Sequence, residues 1–154
     1  MLNIVLYEPE IPPNTGNIIR LCANTGFALH LIRPLGFTMD DKKLRRAGLD
    51  YRETQRVAVH DSWPAFVVDT KPRRIFAITT RGGCNYHTTR FSGGDTLVFG
   101  AETRGLPAEF LNTLPGSARL RIPMLPDNRS LNLSNAVAIV CYEAWRQLDF
   151  CGAR

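Results

Sequence analysis

Three polar segments of this chain combine glycine, asparagine and arginine at close spacing, a composition typical of loops that bind a ligand. They read NTGNIIR at residues 14–20, FGAETRGLP at residues 99–107, and IPM at residues 122–124 followed by SLNLSNA at residues 130–136. Glycine allows close backbone approach and unusual dihedral angles. The planar fork of arginine suits phosphate. Because only three of the 19 basic residues are lysine, the composition favours RNA as a partner.

The signatures of the common nucleotide-binding folds are missing. No GxGxxG segment follows the first predicted strand and no GxxxxGK[ST] segment occurs, which disfavours a Rossmann or P-loop protein. His30, His60 and His87 share no spacing, and the four cysteines match neither a zinc site nor a CxxC pair. We therefore expect no metal ion, and histidines that are internally satisfied or face solvent.

The segments that position these loops alternate between strand and helix patterns. Short runs rich in β-branched or aromatic residues predict strands at residues 3–7, 29–32, 56–59, 75–79, 96–99 and 119–122. Helices are predicted from Asn14, as a cap, to Gly26, and at residues 40–47, 62–69, 107–114 and 134–148, the last with Ser134 as a cap. The alternation predicts an α/β fold with a mostly parallel sheet, helices on both faces, and ligands at the carboxyl ends of the strands.

Length and charge limit the classes of protein. At 154 residues and 44% hydrophobic, the chain is expected to form a single domain over residues 1–154. Its apolar runs are far shorter than the roughly 20 residues of a membrane span, so we expect a soluble, cytoplasmic protein with no membrane association. A net charge of +5 suits a polyanionic partner, although a charge of this size also serves solubility alone.

In their order and spacing, the three segments resemble the three motifs of the SPOUT methyltransferases, specifically the branch that methylates ribose 2′-hydroxyl groups. The resemblance covers residues 2 to about 150. It implies a deep trefoil knot at the carboxyl end, which no periodicity predicts, a homodimer, and S-adenosyl-L-methionine as a methyl donor that becomes S-adenosyl-L-homocysteine. Within that branch the chain looks like the minimal enzymes that methylate the wobble nucleotide, cytidine or 5-carboxymethylaminomethyluridine, of leucine tRNAs.

The resemblance also implies which residues bind the cofactor. They are Ile78, Gly100, Glu102, Gly105, Ile122, Ser130, Leu131 and Asn135. Structural alternatives remain open for several of them: Gly100 as part of an ordinary tight turn, and Ile78 and Ile122 as buried strand residues. Glu102 could instead pair with Arg104 or cap a turn, and Asn132 or Asn135 could cap the last helix beside Ser134.

Arg20 is the leading candidate for a catalytic residue, because the arginine of the first motif faces the ribose in this branch. With a pKa above about 12, arginine is a poor base, so we expect Arg20 to orient the nucleotide and stabilise the developing alkoxide. Asn17 is expected to hold substrate or cap the helix. Tyr142 matches a family tyrosine implicated in activity, or is a core or interface residue. The sulfonium is already activated, so alignment dominates and no metal ion is required.

The candidate RNA-binding residues are basic. Besides Arg20, they are Lys42, Lys43, Arg45 and Arg46, which form one cluster, and Arg90. A solvated helix face explains the cluster as well, and an exposed loop explains Arg90. The competing functions are methylation of another tRNA position or of ribosomal RNA, a cofactor-binding RNA module without activity, and an unrelated α/β enzyme that binds nucleotide triphosphates.

Overall fold

The computed structural model describes residues 1–40, 42–45 and 57–153, and within them seven strands form one sheet. All neighbouring strands pair in parallel in the order β3-β2-β1-β6-β4-β7-β5. The strands are β1 (Asn3–Tyr7), β2 (Ala28–Ile32), β3 (Val57–His60), β4 (Ile75–Ile78), β5 (Cys84–Asn85), β6 (Thr96–Phe99) and β7 (Arg119–Arg121). Six of them confirm the predicted runs to within a residue or so, although Arg56 lies outside the described residues. The two-residue β5 was not predicted.

Five α-helices and two short 3₁₀ helices occupy the described connections. They are α1 (Pro12–Thr25), α2 (Lys42–Arg45), α3 (Trp63–Thr70), α4 (Ala108–Asn112) and α5 (Leu133–Gln147), with 3₁₀ turns at Tyr86–Thr88 and Gly116–Ala118. The predicted helices all find a counterpart, although Ala47, the predicted end of the second, lies outside the described residues. No helix in the described part of the chain has the length and apolarity needed to cross a bilayer.

Two predicted helix caps are wrong. The helix α1 starts before Asn14, because Pro12 and Pro13 fit the first turn, where a missing N–H breaks no helical hydrogen bond. The cap of α5 is Asn132 and not Ser134, since the Asn132 side chain accepts hydrogen bonds from the backbone N–H groups of Ser134 and Asn135.

Helices cover both faces of the sheet. Alternate residues of a strand point to opposite faces, and β1 shows the result. Ile4 and Leu6 belong to a core cluster that includes the buried residues of α1 and α5, whereas Val5 belongs to a second cluster with Phe66 of α3 and Phe110 of α4. Each fully buried aliphatic side chain contributes about 1.5–3 kcal/mol, so the two cores fix the helices against the sheet.

The strand β7 lies between β4 and β5, two strands that precede it by more than 30 residues. It pairs with β4 through Ala77 and Ile78, and with β5 through Cys84 and Asn85. The carboxyl-terminal part of the chain therefore enters a space bounded by earlier segments. The trefoil knot implied by the resemblance stays a prediction.

Candidate active site

A cleft of about 510 Å³ opens at the carboxyl ends of β4, β6 and β7. This is the edge of a parallel sheet where ligands bind in α/β proteins. The cleft brings together all three of the polar segments, which are far apart in sequence. Its lining consists of residues 78–81, 99–106, 122, 124, 130–133 and 136, together with Ile11 and Asn14.

Seven of the eight predicted cofactor-binding residues line this cleft. They are Ile78, Gly100, Glu102, Gly105, Ile122, Ser130 and Leu131. The eighth, Asn135, is not among the lining residues and lies in the first turn of α5, where its N–H donates to Asn132. The structure therefore groups these residues in one place, while their contact with a cofactor stays a prediction.

Gly100 and Gly105 form the narrowest part of the loop that follows β6. A Cβ atom on Gly100 would lie 2.2 Å from the carbonyl carbon of Gly105 and 2.3 Å from the backbone nitrogen of Leu106. The Gly105 N–H donates to the Ala101 carbonyl at 2.8 Å, and Gly105 has a φ of 65°. The loop is thus a tight turn and a wall of the cleft at the same time, so the two interpretations of Gly100 are compatible.

Glu102 holds the amino end of α1. Its carboxylate accepts hydrogen bonds from the backbone N–H groups of Glu10 at 2.7 Å and Ile11 at 3.0 Å, and from Nδ2 of Asn14 at 3.2 Å. A negative charge here complements the positive end of the helix dipole. The alternative pairing with Arg104 is not observed, because Arg104 pairs with Glu8 and Glu10 instead.

Asn14 and Asn132 connect the first and third polar segments. The Nδ2 of Asn132 donates to Oδ1 of Asn14 at 2.9 Å, and Asn14 donates to Glu102 of the second segment. A chain of side-chain hydrogen bonds therefore runs through all three segments along the cleft wall. Sequence reasoning missed Asn14 as a site residue because an asparagine after two prolines resembles a helix cap.

The candidate catalytic residues lie outside the cleft lining. Asn17 and Arg20 are exposed, lie three residues apart on one side of α1, and follow the buried Asn14. Arg20 lies six residues beyond Asn14, about 9 Å along the helix axis. Tyr142 is 46% exposed on α5, with its ring edge-on to Trp145 at 5.6 Å, a position that suits the interface interpretation.

The candidate RNA-binding residues are spread over the surface. Lys42, Lys43 and Arg45 lie in α2, where Lys42 is exposed. Arg46 lies outside the described residues. Arg90 is exposed on the segment between the first 3₁₀ turn and β6, and its carbonyl accepts a hydrogen bond from Arg74. Neither Lys42 nor Arg90, whose side chains the structure describes, lines the cleft.

Two of the histidines meet, contrary to what their sequence spacing indicated. Nδ1 of His30 lies 3.1 Å from Nε2 of His60, and Nδ1 of His60 lies 3.1 Å from a carboxylate oxygen of Asp69. Burial, together with the charge of His60, lowers the pKa of His30 to about 4. The pair lies on β2 and β3, away from the strands that form the cleft. The described residues contain no group of three or more His, Cys, Asp or Glu side chains arranged to hold a metal ion.

Known proteins are similar to this chain in sequence and in fold. Residues 1–142 match the SpoU rRNA Methylase family. The chain is 62% identical over 153 residues to the tRNA (cytidine(34)-2'-O)-methyltransferase of Escherichia coli strain K12, which covers 99% of this chain and 98% of that protein. A structure described as "Structural insights into the 2-OH methylation of C/U34 on tRNA" is 49% identical, with a TM-score of 0.89 and 97% of each chain covered.

A more distant structure contains the cofactor. The SpoU methyltransferase AviRb from Streptomyces viridochromogenes, solved in complex with AdoMet, is 26% identical, with a TM-score of 0.81 over 100% of this chain and 59% of that one. The α/β fold expected from the sequence is thereby confirmed.

Proposed function

Because this chain belongs to the SpoU rRNA Methylase family, we propose that it is a tRNA methyltransferase that acts on the 2′-hydroxyl of the wobble nucleotide. The methyl donor is S-adenosyl-L-methionine, and the substrate is cytidine or 5-carboxymethylaminomethyluridine at position 34 of leucine tRNAs, in the cytoplasm. The observation that carries this proposal is the 62% identity with the Escherichia coli wobble methyltransferase over 99% of the chain. All three polar segments fall within that match.

The residues of the cleft suit S-adenosyl-L-methionine. A volume of about 510 Å³ lies within the usual range for ligand pockets, about 300–1,000 Å³. Ile78, Ile122 and Leu131 provide apolar walls for an adenine ring, and the hydroxyl groups of Thr79 and Ser130 line the same space. When bound, the cofactor supplies a methyl group on a sulfonium that already activates it. The protein therefore has to align the acceptor oxygen with that methyl group.

Arg20 is the residue that we assign to the ribose. Its guanidinium orients the nucleotide and stabilises the alkoxide that develops on the 2′-oxygen, while a phosphate or water accepts the proton. Asn17 lies one helical turn before Arg20 on the same exposed face of α1 and helps to hold the substrate. In this assignment Tyr142 supports activity through the subunit interface rather than at the reacting atoms.

A homodimer accounts for the distance between Arg20 and the cleft. Arg20 lies outside the cleft lining, and we propose that in a homodimer the partner's Arg20 lies beside this cleft. The helices α1 and α5 pack together in each subunit, and α5 exposes Ile139 and Tyr142. Exposed apolar side chains on paired helices are a suitable surface for self-association.

Methyl transfer to total tRNA tests the proposed activity. Wild-type protein and Arg20→Ala are incubated with labelled S-adenosyl-L-methionine and tRNA, and the modified nucleoside is mapped. We expect label on the wobble ribose of leucine tRNAs, lost in Arg20→Ala and retained in Arg33→Ala, which changes an exposed arginine directly after β2 and outside the cleft lining. Label elsewhere in tRNA or only in ribosomal RNA would change the substrate. Cofactor binding without any transfer would indicate a noncatalytic module, and binding of nucleotide triphosphates instead would indicate an unrelated enzyme.

Complementation between subunits tests the shared site. Arg20→Ala keeps an intact cleft, and Leu131→Glu, at an exposed position in the lining, keeps Arg20. If each site uses the partner's Arg20, mixing the two inactive variants restores activity in the mixed dimers. Activity that stays absent while sedimentation shows mixed dimers would contradict the shared site.

A further inference from the structure

A basic surface lies at the end of α5 that is remote from the cleft. The exposed side chains of Arg74, His87, Arg90 and Arg146 form it, and we call it the arginine face. Leu133, at the start of α5, lines the cleft, whereas Arg146 lies 13 residues later, about 20 Å along the helix axis. None of the four side chains lines the cleft.

The acidic partners of this surface lie beneath the arginines. The Asp95 side chain is 3% exposed while that of its partner Arg74 is 46% exposed. The Glu143 side chain is 17% exposed while that of Arg146 is 60% exposed. Hydrogen bonds from Arg146 and Gln147 lower the pKa of Glu143 to about 2, so its carboxylate stays ionised and keeps Arg146 in place. In both ion pairs the arginine is therefore the partner that meets solvent.

Gln147 fixes the backbone on both sides of Arg90. Its Oε1 accepts from the Phe91 N–H at 2.9 Å and its Nε2 donates to the Thr89 carbonyl at 3.0 Å. The same Nε2 donates to Glu143 at 2.8 Å, and Nη2 of Arg74 donates to the Arg90 carbonyl at 3.0 Å. Side chains from two other elements thus hold three consecutive backbone positions and leave the Arg90 side chain exposed.

We propose that the arginine face binds backbone phosphates of the RNA substrate, with Arg90 as a contact residue and Gln147 as the residue that positions it. This inference rests on the proposed function. Arg146 stays paired with Glu143 through its Nε and Nη2, whereas only the backbone carbonyl of Arg90 is engaged by Arg74, so the phosphate contact is assigned to Arg90. A segment that is already ordered loses less entropy on binding than a mobile one.

Measuring tRNA binding at several salt concentrations tests the contact. Each phosphate contact steepens the slope of the logarithm of the binding constant against the logarithm of the salt concentration by about 0.7–0.9. We expect Arg90→Ala to weaken tRNA binding and to lower that slope by about one contact. Arg33→Ala, which removes another arginine paired with a carboxylate, serves as the control and is expected to leave the slope unchanged.

A double-mutant cycle tests the positioning role of Gln147. Gln147→Met keeps the side-chain volume and removes the three hydrogen bonds, and we expect tRNA binding to weaken by about 3- to 10-fold. In an Arg90→Ala background the same change is expected to have no further effect, because Gln147 acts through Arg90. Additive losses would overturn the inference. If Gln147→Met is poorly folded, Gln147→Leu, which also removes the three hydrogen bonds, is expected to give the same loss and no further effect in the Arg90→Ala background.

Two failures are distinguishable. Absence of methyl transfer and tRNA binding in the wild-type protein would overturn the proposed function. Normal wild-type activity, together with an unchanged salt slope in Arg90→Ala, would overturn only the RNA contact of the arginine face. The affinity for S-adenosyl-L-methionine is expected to be the same in all these variants, because the substituted residues lie outside the cleft lining.

Discussion

Asn132 donates a hydrogen bond to the side chain of Asn14 at 2.9 Å, although 118 positions separate the two residues. Asn14 in turn donates a hydrogen bond to the Glu102 carboxylate, which also accepts from the backbone N–H groups of Glu10 and Ile11. The amide of Asn14 is suited to this position because it accepts from one neighbour and donates to the other. A side chain at this position that can only accept hydrogen bonds loses the bond to Glu102.

Asn14→Asp is expected to weaken cofactor binding and to destabilise the protein. The new carboxylate still accepts from Asn132. It also faces the Glu102 carboxylate, at the place where the wild-type Asn14 donates a hydrogen bond of 3.2 Å. Asn14 is 6% exposed, so water screens the repulsion poorly. We expect a loss of about 1–3 kcal/mol in the free energy of unfolding, measured by urea denaturation, and a lower affinity for S-adenosyl-L-methionine, measured by calorimetry. Asn24→Asp makes the same change at an exposed position of α1 and should leave cofactor affinity unchanged; equal effects from both variants would contradict the role of Asn14.

Gly100→Ala is expected to disrupt the cleft. Its Cβ would lie 2.2 Å from backbone atoms of Gly105, and the backbone has to move because no flexible side chain is there to yield. Overpacking of this kind costs about 1–3 kcal/mol or more. Thermal denaturation and cofactor titration measure the outcome. Gly83→Ala is the matched control, since a Cβ there meets nothing within 4 Å, and cofactor binding by Gly100→Ala at the level of Gly83→Ala would show that the close approach is dispensable.

Glu102→Gln is expected to loosen the amino end of α1. A glutamine has one side-chain oxygen in place of the two that now accept three hydrogen bonds, and it removes a negative charge from the positive end of the helix dipole. We expect a loss of about 1–2 kcal/mol and faster hydrogen exchange at the Ile11 amide. Glu109→Gln alters an exposed acid in the first turn of α4 and should have a much smaller effect.

Acid is expected to destabilise the fold through His30. Its pKa is lowered from 6.5 to about 4 by burial and by the charge of His60, so the unfolded chain binds a proton on His30 more readily than the folded chain. The contribution of neutral His30 is complete above pH 6.5 and is lost as the pH falls from about 6.5 toward 4. Melting temperatures across this range should fall less in His30→Gln than in the wild type. His87→Gln, at an exposed histidine, should retain the wild-type pH dependence; identical profiles for His30→Gln and wild type would refute this account.

Local sequence pattern predicts most of the sheet and helices, because burial on alternate strand residues and on one helix face shows in the sequence. The strand β5 is different. Cys84 and Asn85 carry no strand pattern, and they become a strand only because β7 arrives beside them from 35 residues later. The start of α1 was misjudged for a similar reason: the group that holds its amino end is Glu102, a residue distant in sequence.

The candidate site shows the same division. Motif resemblance identifies seven residues that line the cleft, since motifs are local. The connection of Asn14 to Asn132 depends on which loops the sheet brings together. The contact of His30 with His60 depends on parallel register, which pairs Ile32 with His60 and His30 with Ala58. The spacing of these residues in the sequence predicts neither of the two contacts.

The hydrogen bonds from Glu10 and Ile11 to Glu102 join residues more than 90 positions apart. This separation determines the order in which parts of the cleft wall can form during synthesis. The amino end of α1 emerges from the ribosome early, but the carboxylate that secures it is made only after two-thirds of the chain, and Asn132 later still. A nascent chain that stops short of Asn132 cannot assemble the wall of the cleft, so competence to bind a ligand arises in one late step and not gradually as the chain lengthens.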